Sequence, residues 1–398
     1  MQKSGRKVVN HFSSLTGLRF LAAIWVVLLH NVNLNKLPHL IAIFVGRGYL
    51  AVDVFFVLSG FILTLNYVDP DTAAFKGTRT KFWLARFARI YPAYLLALVL
   101  WIGPAVIQFL NHQMFSSIPV LVGTGLLTAV LQQCWWYRTA TMWNYPAWSV
   151  AVEAFFYIVF PAACVLATRF PPRRLRFALA VCWCAALTFP VLGFVQDPVA
   201  GYSAMDTDAV RYTLMTNPVL RLPEFAFGIL LGRMFQLNVI PLKMLNGMVA
   251  VGLFLAACAI FSPQVPRVLL GNGLLAPAWG VFIYALACGR PGPIHRLLSL
   301  PLLVLLGEAS YGIYILQAPV AEYWFHNYTG PLKVPLFLLL LPLLAVLSFW
   351  YFETPVRNII RRTAGERPVL IPSAADIEPR PAEIIGVAPE LKQSHGSA

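Results

Sequence analysis

Charge is scarce in this chain. Only 12% of its 398 residues are Asp, Glu, Lys or Arg, about half the share found in soluble domains. With 59% hydrophobic residues and a mean hydropathy of +0.70, an ordinary soluble globule is excluded. Acids are the scarcer sign, 16 against 30 Lys and Arg, for a net charge of +14. That excess sits in short connections between apolar runs, where it follows the topological bias of cytoplasmic loops. No continuous basic stripe forms, so no nucleic-acid partner is expected. Six cysteines (Cys134, Cys164, Cys182, Cys184, Cys258 and Cys288) lie in or beside apolar segments without metal-ligand spacing, so no metal is expected. Internal repeats and a second folded domain are lacking too. Lys3, Arg6 and Lys7 are read as leading directly into the first span, not as part of a cleaved signal peptide.

What is abundant is apolar sequence in runs near 20 residues. The spacing predicts helices near 15–33, 48–67, 87–110, 118–134, 147–168, 176–195, 218–236, 245–262, 268–288, 299–325 and 334–352. If all eleven crossed, the basic cluster at Arg169–Arg176 would fall outside and every later cluster would invert with it. Segment 118–134, weakened by Gly123, Thr124, Gly125, Thr128 and Gln132-Gln133, is therefore read as re-entrant or interfacial. The predicted fold is an all-α polytopic membrane protein with about ten transmembrane helices and both termini cytoplasmic. The longest external loop is near 196–217. Residues 1–362 form the membrane domain, and 363–398, rich in Pro, Ala and Glu, form a disordered cytoplasmic tail.

Charges inside the apolar runs carry the chemistry. Arg19 and His30 bracket ten unbroken apolar residues, which places them about 16 Å apart along one helix. Such residues normally face a bundle interior or wet cavity, and His is the side chain suited to proton transfer near neutral pH. Asp53, in the second span, falls near the depth of His30 if the two spans pair antiparallel. It either orients the imidazole as a carboxylate beside a general base or caps its own helix. Arg86 and Arg89 share a helix face at the cytoplasmic boundary, as a fork for phosphate or as snorkelling anchors. Ser149 reads as an N-cap with Glu153 in the first turn, beside Trp135, Trp136, Trp143 and Trp148. That cluster fits either an aromatic belt or a vestibule. Arg221 and Glu224 read as a mutual pair, Ser59-Gly60 as a packing notch, and Glu353 and Arg357 as structural. Ser310, Tyr311, Tyr314 and Gln317 put hydroxyls and an amide inside one helix.

Taken in order, these residues resemble the acyltransferase-3 family of integral membrane O-acyltransferases over roughly residues 12–360. The resemblance rests on Arg19-x10-His30, the run from Asp53 to Ser59-Gly60-Phe, and Arg86-x-x-Arg89-Ile-x-Pro92. Trp148-Ser149-x3-Glu153, Arg221-x2-Glu224-Phe-x2-Gly228 and Ser310-Tyr311-x2-Tyr314 extend it. It implies a ten-helix fold in the cell (inner) membrane, with His30 catalytic and Arg19 its essential partner, supported by Asp53 or Glu153. The donor implied is acyl-CoA, with Arg86 and Arg89 on its phosphates and Ser59 and Tyr314 lining its site. The acceptor is a hydroxyl of a carbohydrate, a lipid-linked glycan or a secondary metabolite. Gln317 stands where many members carry His, so no second histidine is expected to act. No appended hydrolase-like domain is expected either, which disfavours a relay through one. The alternative class is a transporter or flippase of an acylated glycolipid, against which the sequence shows no repeat of broken helices.

Overall fold

The computed structural model describes residues 12–198, 209–289, 292–363 and 365. Nearly all of the predicted tail, and residues 199–208 of the predicted external loop, lie outside the described residues. In hydrocarbon every backbone N–H and C=O must be satisfied within the protein, and helices do this segment by segment. The described residues accordingly form helices and no sheet: an all-α polytopic membrane fold. The helices used below are α1 Ser13–Asn31, α2 His39–Gly46, α3 Ala51–Tyr67, α4 Arg79–Leu110, α5 Ile118–Ala129, α6 Ala147–Thr168, α7 Pro172–Gln196, α8 Ala209–Thr216 and α9 Pro218–Gln236. They continue with α10 Leu242–Phe261, α11 Ala276–Ala287, α12 Pro293–Leu298, α13 Pro301–Glu308, α14 Ser310–Asn327, α15 Lys333–Ser348 and α16 Thr354–Thr363.

Among the described residues, eight helical stretches are long and apolar enough to cross a membrane, and α13 with α14 make a ninth that bends by 62° between Glu308 and Ser310. Helix α9 has a span's length, 19 residues, but carries Arg221, Glu224 and Arg233. All three are buried inside the bundle and not turned to lipid. Helix α5 has only 12 residues, about 18 Å, too short to cross a 30 Å core. Three details differ from the sequence reading. Helix α4 begins eight residues early, at Arg79, because Thr78 caps it by accepting from the Lys81 N–H. Helix α2 occupies part of the link between the first two spans. Both the predicted 268–288 and 299–325 helices are broken, the first by a π-helical turn at Leu270–Leu274 and the second at Ala309.

Helices α3 and α9 form the central crossing. A Cβ on Gly60 would collide with the Phe225 carbonyl, and one on Gly228 with the Val57 carbonyl. The two backbones therefore touch, as small residues allow between membrane helices. Arg221 is carried into that junction and is 1% exposed. It donates to Asp53 Oδ1, pairs with Glu224 at 3.0 Å, and donates to Asn272 Oδ1 at 2.9 Å and to the Gly271 carbonyl. The π-helical turn supplies these last acceptors. Gly273 sits there at φ +86°, and its N–H donates to Asp53 Oδ2 at 3.4 Å.

Two outcomes are expected. Breaking a buried ion network leaves uncompensated charge and costs about 3–5 kcal/mol. Arg221→Met, which leaves Asp53 and Glu224 facing each other, should lower the unfolding midpoint in detergent far more than Asp53→Asn, which leaves Arg221 with Glu224. Equal, small shifts would show the network to be dispensable. In single-cysteine variants at Lys81 and Arg173, both positions should be labelled from the same side of the membrane; labelling from opposite sides would mean that α5 crosses after all.

Candidate functional site

Helices α1, α3, α4, α6, α13 and α14 enclose a cavity of about 340 Å³. Arg19, Arg86, Arg89, Ser59, Glu153 and Tyr314 all line it, so six of the eight sequence-derived site residues meet in one place. Arg86 donates to the Tyr67 hydroxyl at 3.2 Å, and its guanidinium lies 5.4 Å from the Tyr67 ring and 5.9 Å from the Tyr157 ring. Arg89 donates to the Glu308 carbonyl at 3.3 Å, capping the C-terminus of α13. Arg19 makes no hydrogen bond among the described residues. None of the three is ion-paired with a carboxylate among those residues. Glu153 instead accepts from Ser59 at 3.1 Å and Tyr157 at 2.6 Å. Glu308, which the sequence reading passed over, also lines the cavity. Three guanidiniums against two carboxylates leave it cationic.

His30 lies elsewhere. It sits at the far end of α1 and is exposed there. The ring packs edge-on against Tyr145, centroids 4.8 Å apart, and Nδ1 lies 3.1 Å from Gln317 Oε1. Gln317 donates its own amide to the Tyr314 carbonyl at 2.8 Å, which fixes which of its atoms is oxygen. That oxygen accepts a hydrogen bond, so Nδ1 carries the proton and Nε2 is the basic nitrogen. Burial raises the Tyr145 phenol above its ordinary range and keeps it neutral beside the imidazole. Tyr314 joins the two halves. Its hydroxyl shares a 2.7 Å bond with Ser149 at the cavity wall, and its carbonyl holds the amide that holds His30.

Two expectations are corrected. Asp53 is not beside His30, and it does not cap α3. It is fully buried, and its hydrogen bonds go to Arg221 and the Gly273 N–H. The α3–α9 backbone contact brings the guanidinium closer than the imidazole, and no local pattern announces which distant helix will do so. Ser149 is not an N-cap: α6 begins at Ala147, and Ser149 bonds the Pro146 carbonyl and Tyr314 from within the helix. Glu153 therefore lies in the second turn. The sequence reading missed Tyr145 and Tyr157 as site residues. Gln317 it saw as an amide inside the helix and as the replacement of a histidine, not as a partner of His30, whereas its spacing of three from Tyr314 was the available signal.

Comparison with known proteins shows the family. A family model described as an acyltransferase domain matches residues 12–353. The acyltransferase MdmB of Streptomyces mycarofaciens is 30% identical over 329 residues, covering 78% of this chain and 79% of that protein. The O-acetyltransferase OatA of Staphylococcus aureus strain NCTC 8325 is 24% identical over 365 residues, 87% of this chain and 57% of its own length. A putative O-acetyltransferase of S. aureus strain COL is 24% identical over 388 residues, 92% and 60% respectively. This chain thus spans about three fifths of the staphylococcal relatives' length. No solved structure matches. With the family's domain running over residues 12–353, nearly the whole chain, the chain belongs to the acyltransferase-3 family of integral membrane acyltransferases.

Proposed function

We propose that the protein is an acyl-CoA-dependent O-acyltransferase of the cell membrane. It would move a short acyl group to a hydroxyl of a carbohydrate, a lipid-linked glycan or a secondary metabolite. The observation that carries this reading is the convergence of Arg19, Arg86 and Arg89 on one cavity without carboxylate partners. Charge-assisted bonds from guanidiniums are the strongest way to hold phosphate oxygens. In this reading the donor's phosphates lie at the cavity mouth, taken as cytoplasmic, and its thin uncharged arm runs past Ser59 and Tyr314 toward His30. Arg19, about 16 Å from His30 along α1, then serves the donor and not the reacting carbon.

At the other end, His30 Nε2 takes the proton of the acceptor hydroxyl as its oxygen attacks the thioester carbonyl. The C–O bond forms and the C–S bond breaks. The departing thiolate takes up the proton from His30, leaving free thiol and acyl ester. Gln317 positions the ring throughout, and the neutral Tyr145 walls one side. A transporter remains the second reading because of the two broken helices, at Leu270–Leu274 and Ala309. Release of free CoA thiol by purified protein supplied with acceptor decides between them, since a transporter releases none.

His30→Ala should lower turnover by about two to four orders of magnitude, the usual contribution of a general base, while the rise in unfolding midpoint caused by CoA persists. Near wild-type turnover would exclude His30 as the base. Arg86→Ala and Arg89→Ala should each lose about 1.5–3 kcal/mol of donor binding, roughly ten- to a hundredfold. The loss should be confined to CoA thioesters and spare pantetheine analogues, and Lys should restore only part of it. Equal losses for both donors, or free substitution by Lys, would return the arginines to a topological role.

A further inference from the structure

The break at Ala309 does more than bend a span. Helix α14 starts there, 18 residues long, and its first residues Ser310 and Tyr311 line the cavity. The first N–H groups of any helix lack intrahelical acceptors and carry the positive end of its dipole. No side chain caps this one by a hydrogen bond: its N-cap is Ala309, and its first turn contains no acid of its own. Ser310 itself is 1% exposed, and its hydroxyl has no hydrogen-bond partner. A buried orphan hydroxyl is costly unless something outside the protein completes it. Arg86 Nε, on the same cavity, is buried and unpartnered too. Glu353 stands against Gly312 but does not line the cavity. Glu308 does line it, yet Arg89 binds the carbonyl of that residue and so holds its guanidinium at the break.

We infer that the N-terminal turn of α14, with the Ser310 hydroxyl, is a phosphate-binding site, taking a phosphate of the donor between itself and Arg19 and Arg89. A broken span would then place a helix N-terminus at membrane depth, where its dipole is poorly screened and an anion gains most. The inference rests on acyl-CoA being the donor. It adds a binding element contributed by backbone and hydroxyl, separate from the Arg86 and Arg89 fork. The buried Ser310 hydroxyl, without a partner in the protein, is the group that the phosphate satisfies.

The test is the unfolding midpoint of the full chain in nanodiscs of phosphatidylcholine, titrated with CoA and with pantetheine. Ser310→Ala should bind CoA at least about tenfold more weakly, leave pantetheine binding unchanged, and show an unchanged or higher midpoint without ligand. Ser310→Asp should raise that midpoint, because its carboxylate occupies the helix terminus, and should abolish the response to CoA. If Ser310→Ala lowers the ligand-free midpoint and weakens both ligands alike, the hydroxyl is structural and the inference fails. It fails equally if CoA binding is unaffected while Arg86→Ala weakens it, an outcome that leaves the donor assignment standing. Absence of any CoA response in the wild type overturns both. If phosphatidylglycerol, added without CoA, raises the midpoint of the wild type but not of Ser310→Ala, the phosphate is a lipid headgroup and the donor assignment at this turn is overturned.

Discussion

A guanidinium costs several kcal/mol inside a bilayer unless it faces protein or water, and four of this chain's guanidiniums set the terms for the core and the cavity: Arg19, Arg86, Arg89 and Arg221. The fold answers that cost in two ways. Arg221 is held by the protein itself. Two carboxylates, a side-chain amide and a carbonyl freed by a broken helix surround it at the α3–α9 crossing. Only its Nε is left without a partner, and the network reads as the pin of the bundle. The other three are underpaired. Tyrosine rings, one hydroxyl and one helix-end carbonyl are their partners, and the nearby Glu153 is occupied by Ser59 and Tyr157. One buried arginine is paired with two carboxylates, while three others around a cavity have none, and that contrast supports the reading that an anion from outside joins them.

The same logic separates the two breaks. At Leu270–Leu274 the freed Gly271 carbonyl and Gly273 N–H are used internally, on Arg221 and Asp53. At Ala309 the freed carbonyl of Glu308 is used by Arg89, while the new helix start faces the cavity uncapped. One irregularity stabilises the core; the other presents a binding surface.

Much of this was legible in the sequence, because membrane helices announce themselves by length and by the cost of charge. The spans and the short segment before Trp135 follow from apolar runs and charge, and the residues of the cavity were each marked by a polar intrusion or the family's motif order, although Arg19 and Glu153 were grouped with His30 and not with Arg86 and Arg89. What escaped is what depends on partners distant in sequence. Asp53 looked like a partner of His30 because the first two spans are neighbours in sequence, yet a glycine-lined crossing delivers Arg221 from 168 residues away. The helix breaks escaped because Ala309 and Asn272 carry no Pro to mark them. Gln317 looked like a lost histidine; in three dimensions it is the residue that sets the tautomer of His30.

The central claim is that the donor's phosphates and its reacting carbon lie at opposite ends of α1. A CoA thioether bearing a photoactivatable group in place of the acyl chain tests it directly, with the adduct located by peptide mass spectrometry. The account predicts adducts on the residues around His30, namely Tyr145 and Gln317, and their loss in competition with CoA. Adducts confined to Ser59, Glu153 or Tyr157 would place the reacting carbon inside the arginine cavity and contradict it.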